Sequence, residues 1–172
     1  MTSLTINGPA RLVGADINTD YIISSRRKRV TIDPDALRLH IFEDYDAEFG
    51  QSLKPDDIIV AGKNFGCGSA MEVAVTVVRA AGISCVLAPS FARAYYRNAI
   101  NNGLLPVVCD TSSIQEGDTL SIVSEGNDIN VTNTSRDISI GAASLSSMMI
   151  EILKTGGLTE YLRKHGDFPS EI

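Results

Sequence analysis

A glycine-rich segment, AGKNFGCGSAMEVAV at positions 61–75, carries the residues best suited to chemistry in this sequence. It follows a short apolar run, precedes a pattern typical of a helix, and sets Cys67 and Ser69 among glycines. In parallel α/β domains the loops at the carboxyl ends of strands meet ligands, and helix N-termini favour anions. The segment could therefore be a phosphate cradle, a nucleophile turn, a cysteine metal site, or a loop that presents a serine to a partner's active site.

The spacing of the glycines excludes the common versions of the first two sites. No Gly-Lys-Ser/Thr ends the loop, and Met71 stands where a dinucleotide fingerprint needs its third glycine. A nucleophile elbow needs G-x-S-x-G, which Gly68-Ser69-Ala70-Met71 does not provide. From the local residues alone, Ser69 is either a helix cap or a functional hydroxyl, and both alternatives stay open.

A second chemical feature is the basic stretch SSRRKRV at positions 24–30, with four consecutive cations in a chain of net charge −6. It is either a solvated loop or a surface for anions. The acidic balance of the whole chain disfavours general nucleic-acid binding, which requires a basic face.

The three cysteines argue against a metal site made by this chain alone. No C-x-x-C occurs, and Cys85 and Cys109 lie in apolar strand-like runs, which predicts buried structural thiols. Three thiolates around one iron–sulfur cluster is the less favoured alternative. Neither His40 nor His165 has a ligand neighbour at helical spacing, so both are expected at the surface.

The elements that must position the glycine segment alternate between strand and helix. The pattern predicts, in chain order, a strand at DDIIVAG, a helix at SAMEVAVTVVRAAG, a strand at ISCVLAP, a helix at SFARAYYRNAINNG and a strand at LLPVVCD. Ser90 is expected to cap the second helix, and Gly82 and Gly103 to follow the two helix ends. Such alternation indicates a parallel βαβαβ centre.

The flanking segments complete a single α/β domain over residues 1–172. They are predicted as short strands in ARLVGADINTDYIISS, one helix in DPDALRLHIFEDYD, an antiparallel pair DTLSIV and NDINVTN, and a C-terminal helix broken at Gly156-Gly157. No apolar run approaches the ~18 residues of a membrane span. The N-terminus lacks the pattern of a secretory signal, so a cytoplasmic location and no membrane partner are expected.

Four stretches together resemble a known family. NTDYII, GKNFGCGSAMEVA, SFARAYYRNAINNGLLPV and LKTGGLTEYLRKHG stand in the order and spacing of the small subunit, or swivel domain, of 3-isopropylmalate dehydratase and homoaconitase. These proteins belong to the aconitase superfamily, and the resemblance covers nearly the whole chain. It implies an α/β swivelling β/β/α domain with flanking antiparallel strands.

The resemblance also implies an activity shared with a second chain. A large subunit would hold a [4Fe–4S] cluster through its own cysteines, and this chain would bind no cofactor itself. The reaction would remove water from a hydroxy di- or tricarboxylic acid and add it back at the neighbouring carbon. The family's proton-abstracting serine matches Ser69, with Gly68 and Ala70 at the substrate, and Asp20 matches a family aspartate that supports the site.

Two positions depart from the family motif Gly-Ser-Ser-Arg-Glu, because Ala70 stands at its second serine and Met71 replaces its arginine. In the family that arginine donates two hydrogen bonds to a substrate carboxylate, and methionine has no donor with which to do so. The expected substrate-binding cations are Arg26 and Arg29. The resemblance aligns Arg26 with a second family arginine, and it aligns Arg29 with the arginine of homoaconitase-like loops. The expected substrate is 3-isopropylmalate in leucine biosynthesis; homoaconitate, a methyl-substituted malate and a non-catalytic relative are the alternatives.

Overall fold

The computed structural model of the protein describes residues 3–167. Within them, seven strands form one sheet in the order β4-β3-β2-β1-β5-β6-β7. The strands are β1 Thr5–Leu12, β2 Ile58–Val60, β3 Cys85–Ala88, β4 Leu105–Val108, β5 Thr119–Glu125, β6 Asp128–Asn133 and β7 Ile138–Gly141. The predicted α/β class with a parallel centre is confirmed, because β1 to β4 pair in parallel.

The first strand joins the parallel and antiparallel halves of the sheet. One edge of β1 pairs in parallel with β2, and the other pairs antiparallel with β5, Gly8 lying opposite Leu120. The predicted antiparallel pair is β5 and β6, joined across Gly126 and Asn127, and β7 extends it beyond what the sequence pattern indicated.

Eight helices and a 3₁₀ turn at Arg38–His40 surround this sheet in the described part of the chain. The helices are α1 Thr19–Ile22, α2 Ser25–Lys28, α3 Pro34–Leu37, α4 Glu43–Ser52, α5 Val73–Ala80, α6 Arg93–Asn101, α7 Ser147–Thr155 and α8 Leu158–His165. None of the helices in residues 3–167 combines the length and apolar character needed to cross a bilayer.

Two apolar cores cover the two faces of the sheet. Alternate residues of a strand point to opposite faces, so Ile59 and Val86 join one core while Val60 and Leu87 join the other. The core containing Ile59 also takes the buried face of α5 and lies beneath the glycine segment. Strands covered on both faces explain the continuous apolar runs in the sequence.

Two predictions between β1 and β2 are wrong in part. The segment 10–25, expected as short strands, is a strand only where it begins, at the end of β1. Further on it forms α1 and leads into α2, because Asn18 and Ser24 accept hydrogen bonds from the Asp20 and Arg26 amides and cap two short helices. The single helix expected from Asp33 starts there, with Pro34 in its first turn, and is then interrupted. Phe42 has a φ of 57°, which breaks the helical path before α4.

The helices of the parallel centre agree with the sequence pattern except at one cap. α5 and α6 lie where expected, and Gly82 and Gly103 follow their ends with positive φ. Ser90 does not cap α6: its hydroxyl accepts from the Asn64 amide at 2.8 Å, and Ala92 holds the cap position. The C-terminal helix is divided at Gly156-Gly157 into α7 and α8, as expected.

Candidate functional site

The glycine segment leaves the carboxyl end of β2 and is fastened to the chain just before α1. The Gly66 amide donates to the Ile17 carbonyl at 2.8 Å, and the Thr19 amide donates to the Cys67 carbonyl at 2.8 Å. The Thr19 hydroxyl donates to the Ser69 carbonyl at 3.0 Å. Thr19 is buried, so the backbone of Ser69 is held by a group that water does not compete for.

Two glycines make this close approach possible. Gly66 and Gly68 have φ of 76° and 89°, a region that side chains rarely adopt. A Cβ on Gly66 would lie 2.2 Å from the Tyr95 ring, and one on Gly68 would lie 2.5 Å from the Asn18 carboxamide. Glycine at both positions lets the loop pack on α6 below and on the α1 cap beside it.

Ser69 is an exposed side chain and not a helix cap. It lies between exposed Gly68 and Ala70, whereas α5 begins at Val73 with Glu72 at the cap position. The Ser69 hydroxyl makes no hydrogen bond with any described residue, and neither do the backbone amides from Ser69 to Glu72. The structure therefore removes the capping alternative and places Ser69 in the loop ahead of α5, in a stretch whose amides have no partner among the described residues.

A carboxylate and an ammonium lie next to this loop. Asp20 follows Thr19 directly, and its Oδ1 accepts from the Ser25 hydroxyl at 2.5 Å and from Lys28 Nζ at 3.4 Å. The Ser25 hydrogen bond and the Lys28 charge lower the pKa of the Asp20 carboxyl, so it is ionised at neutral pH. Lys28 Nζ also contacts the Met71 sulfur.

Lys28 is the site residue that sequence reasoning did not select. The only sequence feature that pointed to Lys28 was its place in the basic stretch, and the three arginines of that stretch share this feature. The side chain of Lys28 is 14% exposed, much less than the 69% of Arg26, because α2 turns it toward Asp20 and Met71.

The two arginines expected at the substrate lie differently. Arg26 donates to Glu43 at 3.3 Å and to Asp44 at 3.1 Å, so its guanidinium faces α4. Arg29 is exposed and makes no ion pair with a described residue. The structure thus brings Asp20 and the Gly68–Ala70 loop to one surface. Arg26 instead forms ion pairs with the acidic residues of α4.

That acidic pairing is centred on Glu43. Its carboxylate accepts from Arg27 at 2.7 and 2.9 Å and from Arg26, and it lies 3.0 Å from the His40 ring. Hydrogen bonds from Arg27, then from Arg26, hold the pKa of Glu43 at about 2. Two of the four cations in the basic stretch, Arg26 and Arg27, are therefore neutralised by α4.

The cysteines and histidines are dispersed. Cys85 and Cys109 are buried in the sheet, as predicted, and burial raises the pKa of the Cys85 thiol well above its ordinary value and that of Cys109 to about 11. His165 is exposed as expected, whereas His40 is only partly exposed beside Glu43. Within residues 3–167, no three His, Cys, Asp or Glu side chains gather in a way that could hold a metal ion.

The arrangement can receive an anion but lies open on one side. Free amides and an ammonium attract a carboxylate, and Ser69 places a hydroxyl beside it. The exposure of Gly68, Ser69 and Ala70 means that water reaches the hydroxyl unless another surface covers it. Such a site is suited to completion by a second chain.

Comparison with known proteins gives consistent relatives. The model of the Aconitase C-terminal domain matches residues 24–112. The 3-isopropylmalate dehydratase small subunit 2 of Archaeoglobus fulgidus is 44% identical over 93% of this chain and 96% of its own length. The methanogen homoaconitase small subunit of Methanocaldococcus jannaschii is 42% identical over 94% of this chain and 93% of its own length.

A solved structure agrees in three dimensions. A crystal structure described as 3-isopropylmalate dehydratase from Methanocaldococcus jannaschii matches with a TM-score of 0.88 and 40% identity, covering 95% of this chain and 96% of that one. The sequence agrees over almost the full length of both relatives, and the fold agrees over almost the full length of the solved chain. The chain therefore belongs to the aconitase C-terminal domain family, within the group of 3-isopropylmalate dehydratase and homoaconitase small subunits.

Proposed function

We propose that this chain is the small subunit of a cytoplasmic hydro-lyase that isomerises 3-isopropylmalate in leucine biosynthesis by dehydration and rehydration. Residues 1–172 form one swivel domain that closes on a large subunit. The observation that carries the proposal is the exposed hydroxyl of Ser69, which has no partner among residues 3–167 and lies in a loop whose backbone is held by Thr19. An anion-binding site that is open on one side in this way gains its function when a partner covers it.

Ser69 is the proposed proton-transfer residue. Its Oγ takes the proton from the carbon next to a substrate carboxylate and returns it during rehydration. Since a serine hydroxyl is weakly acidic, its anionic form requires stabilisation, which the free amides of Ser69 to Glu72 supply. The [4Fe–4S] cluster of the large subunit would act as Lewis acid on the departing hydroxyl.

The neighbouring residues have binding and supporting roles. Gly68 and Ala70 expose their backbone at the substrate, and ionised Asp20 orients the cationic side of the site. Arg29 is available for a substrate carboxylate. Arg26 reaches one only by exchanging its pairing with Glu43 and Asp44, which a competing anion at an exposed guanidinium can achieve at small cost.

A homoaconitase-type activity is the second candidate. Arg29 favours it, since an additional substrate carboxylate needs an additional cation and Arg29 forms no ion pair in the described part of the chain; a homoaconitase small subunit is also among the relatives. The third candidate is a methyl-substituted malate as substrate, and the fourth is a non-catalytic role. Both are considered because Met71 stands in place of the motif arginine. A substrate panel separates these candidates.

The experiment is co-production of this chain with its cluster-bearing large subunit, followed by a turnover assay that measures dehydration of 3-isopropylmalate and of a methyl-substituted malate, and hydration of homoaconitate. Ser69→Ala is expected to lower kcat roughly 10²- to 10⁴-fold, the usual contribution of a general base. Ser139→Ala, an exposed serine in β7, is the matched control and should retain activity. Turnover unchanged by Ser69→Ala would remove the proposed role, and no turnover of any substrate would favour the non-catalytic relative.

A further inference from the structure

We propose that Lys28 is the cation that binds a carboxylate of the substrate at the place where Met71 has replaced the arginine of the family motif. The inference rests on the proposed function and adds a binding residue to it. It concerns the hydroxy di- or tricarboxylic acid class, in which every member carries the carboxylate that this cation would meet.

The position of the ammonium is the first argument. Lys28 and Met71 lie 43 residues apart in the chain, yet Lys28 Nζ contacts the Met71 sulfur. Met71 stands two residues after Ser69, so the ammonium lies at the loop that carries the reactive hydroxyl. A positive charge is thus supplied from α2 at the point where the motif would supply it from the loop.

The second argument is the unused donor capacity of Lys28. An ammonium has three N–H donors, and a thioether accepts weakly. Asp20 lies 3.4 Å away, a long contact, and it also takes the Ser25 hydroxyl at 2.5 Å. At least one strong hydrogen bond remains for a substrate carboxylate.

Burial distinguishes Lys28 from the other cations of the run. Its side chain is 14% exposed, against 69% for Arg26 and 38% for Arg27. Both arginines are already paired with Glu43. A cation partly withdrawn from water interacts more strongly with an incoming anion, so Lys28 is the most effective member of the run.

A lysine in place of an arginine also changes how the carboxylate is bound. The guanidinium imposes a planar two-point geometry, whereas an ammonium acts as a point charge on a flexible stem. The site therefore constrains the tilt of the carboxylate less than a motif arginine would.

The test measures substrate binding by calorimetry to the assembled two-subunit complex, with Ser69→Ala present in every sample to prevent turnover. Lys28→Met is expected to raise the Kd for 3-isopropylmalate roughly 10- to 100-fold, the effect of losing a charge-assisted hydrogen bond. Adding Met71→Arg to Lys28→Met should recover most of that loss, because the cation returns from the loop. Lys164→Met, at an exposed position on α8, is the control and should leave Kd unchanged.

The outcomes separate this inference from the proposed function. If the complex binds the substrate and Lys28→Met does not weaken binding, or Met71→Arg does not restore it, the inference alone is overturned. If the complex with Lys28 intact binds none of the hydroxy acids, the proposed function fails and the inference with it. Thermal unfolding of each variant verifies that weaker binding does not come from a lost fold.

Discussion

The position of the Ser69 hydroxyl depends on single residues that let two backbone segments touch. Gly68 packs on the Asn18 carboxamide, and Thr19 then holds the Ser69 carbonyl. This hydrogen bond goes to the backbone of Ser69, and the Ser69 hydroxyl itself has no partner among the residues that the structure describes. A site fixed in this way keeps its geometry before any partner or substrate is bound.

A substitution at Gly68 tests this close approach. Gly68→Ala would combine a φ of 89° with a Cβ 2.5 Å from Asn18, so it should lower the free energy of unfolding by about 1–3 kcal/mol beyond the backbone strain itself. Gly117→Ala is the matched control, since Gly117 has a φ of 80° and nothing within 4 Å of the added Cβ. Urea unfolding of both variants measures the difference, and equal losses would show that the contact with Asn18 is unimportant.

Among the elements, α2 and α4 determine which cation reaches the site. The acidic first turn of α4 contains Glu43 and Asp44, which bind Arg26, while Glu43 also binds Arg27. With these arginines engaged, the last residue of α2, Lys28, turns toward Asp20. The ion pairs therefore orient a short helix that has no buried residue of its own.

The charge of Glu43 links this pairing to pH. Its pKa is about 2 in the fold against 4.5 ordinarily, so its contribution is complete above about 4.5 and is lost as the pH falls toward about 2. Glu43→Gln should lower the free energy of unfolding at neutral pH and make stability fall less steeply in that acid interval. Urea unfolding across the interval checks this.

The control for the pH experiment is Glu151→Gln. Glu151 is exposed and lies 3.5 Å from Lys154, so this variant should follow the wild-type pH dependence. A wild-type slope retained by Glu43→Gln would contradict the assignment.

At the scale of the whole molecule, one sheet carries both cores, and this is the basis for proposing one folding unit over residues 1–172. Ile59 belongs to the core beneath the site, and Ile122 belongs to the core on the opposite face. Neighbouring strands connect the two cores through continuous hydrogen bonding from β4 to β7. A disturbance on one face should therefore weaken the other.

Paired core substitutions test that unity. Ile59→Val and Ile122→Val each remove one methyl group from a fully buried position and should cost about 0.5–1.5 kcal/mol. In a chain of this size each kcal/mol lowers Tm by about 2–4 °C. Calorimetry should show one transition that both variants shift; two transitions, each moved by only one variant, would indicate two separate units.

The sequence by itself determined the parallel centre, the β5–β6 pair and the division between α7 and α8. These depend on local signals: continuous apolar runs for strands covered on both faces, and glycines whose positive φ ends or divides helices. The glycine segment was recognised for the same reason, because its residues are contiguous in the chain, whereas the local residues left Ser69 open between a helix cap and a functional hydroxyl.

Only the tertiary structure decided the segment between β1 and β2 and the cation at the site. The Phe42 amide donates to the Ile22 carbonyl, a contact across twenty residues that stabilises a backbone turn no local pattern predicts. Lys28 meets Met71 because Glu43, distant in sequence, engages the arginines beside it. Such contacts depend on which surfaces pack together, and the residue types in the basic stretch do not contain that information.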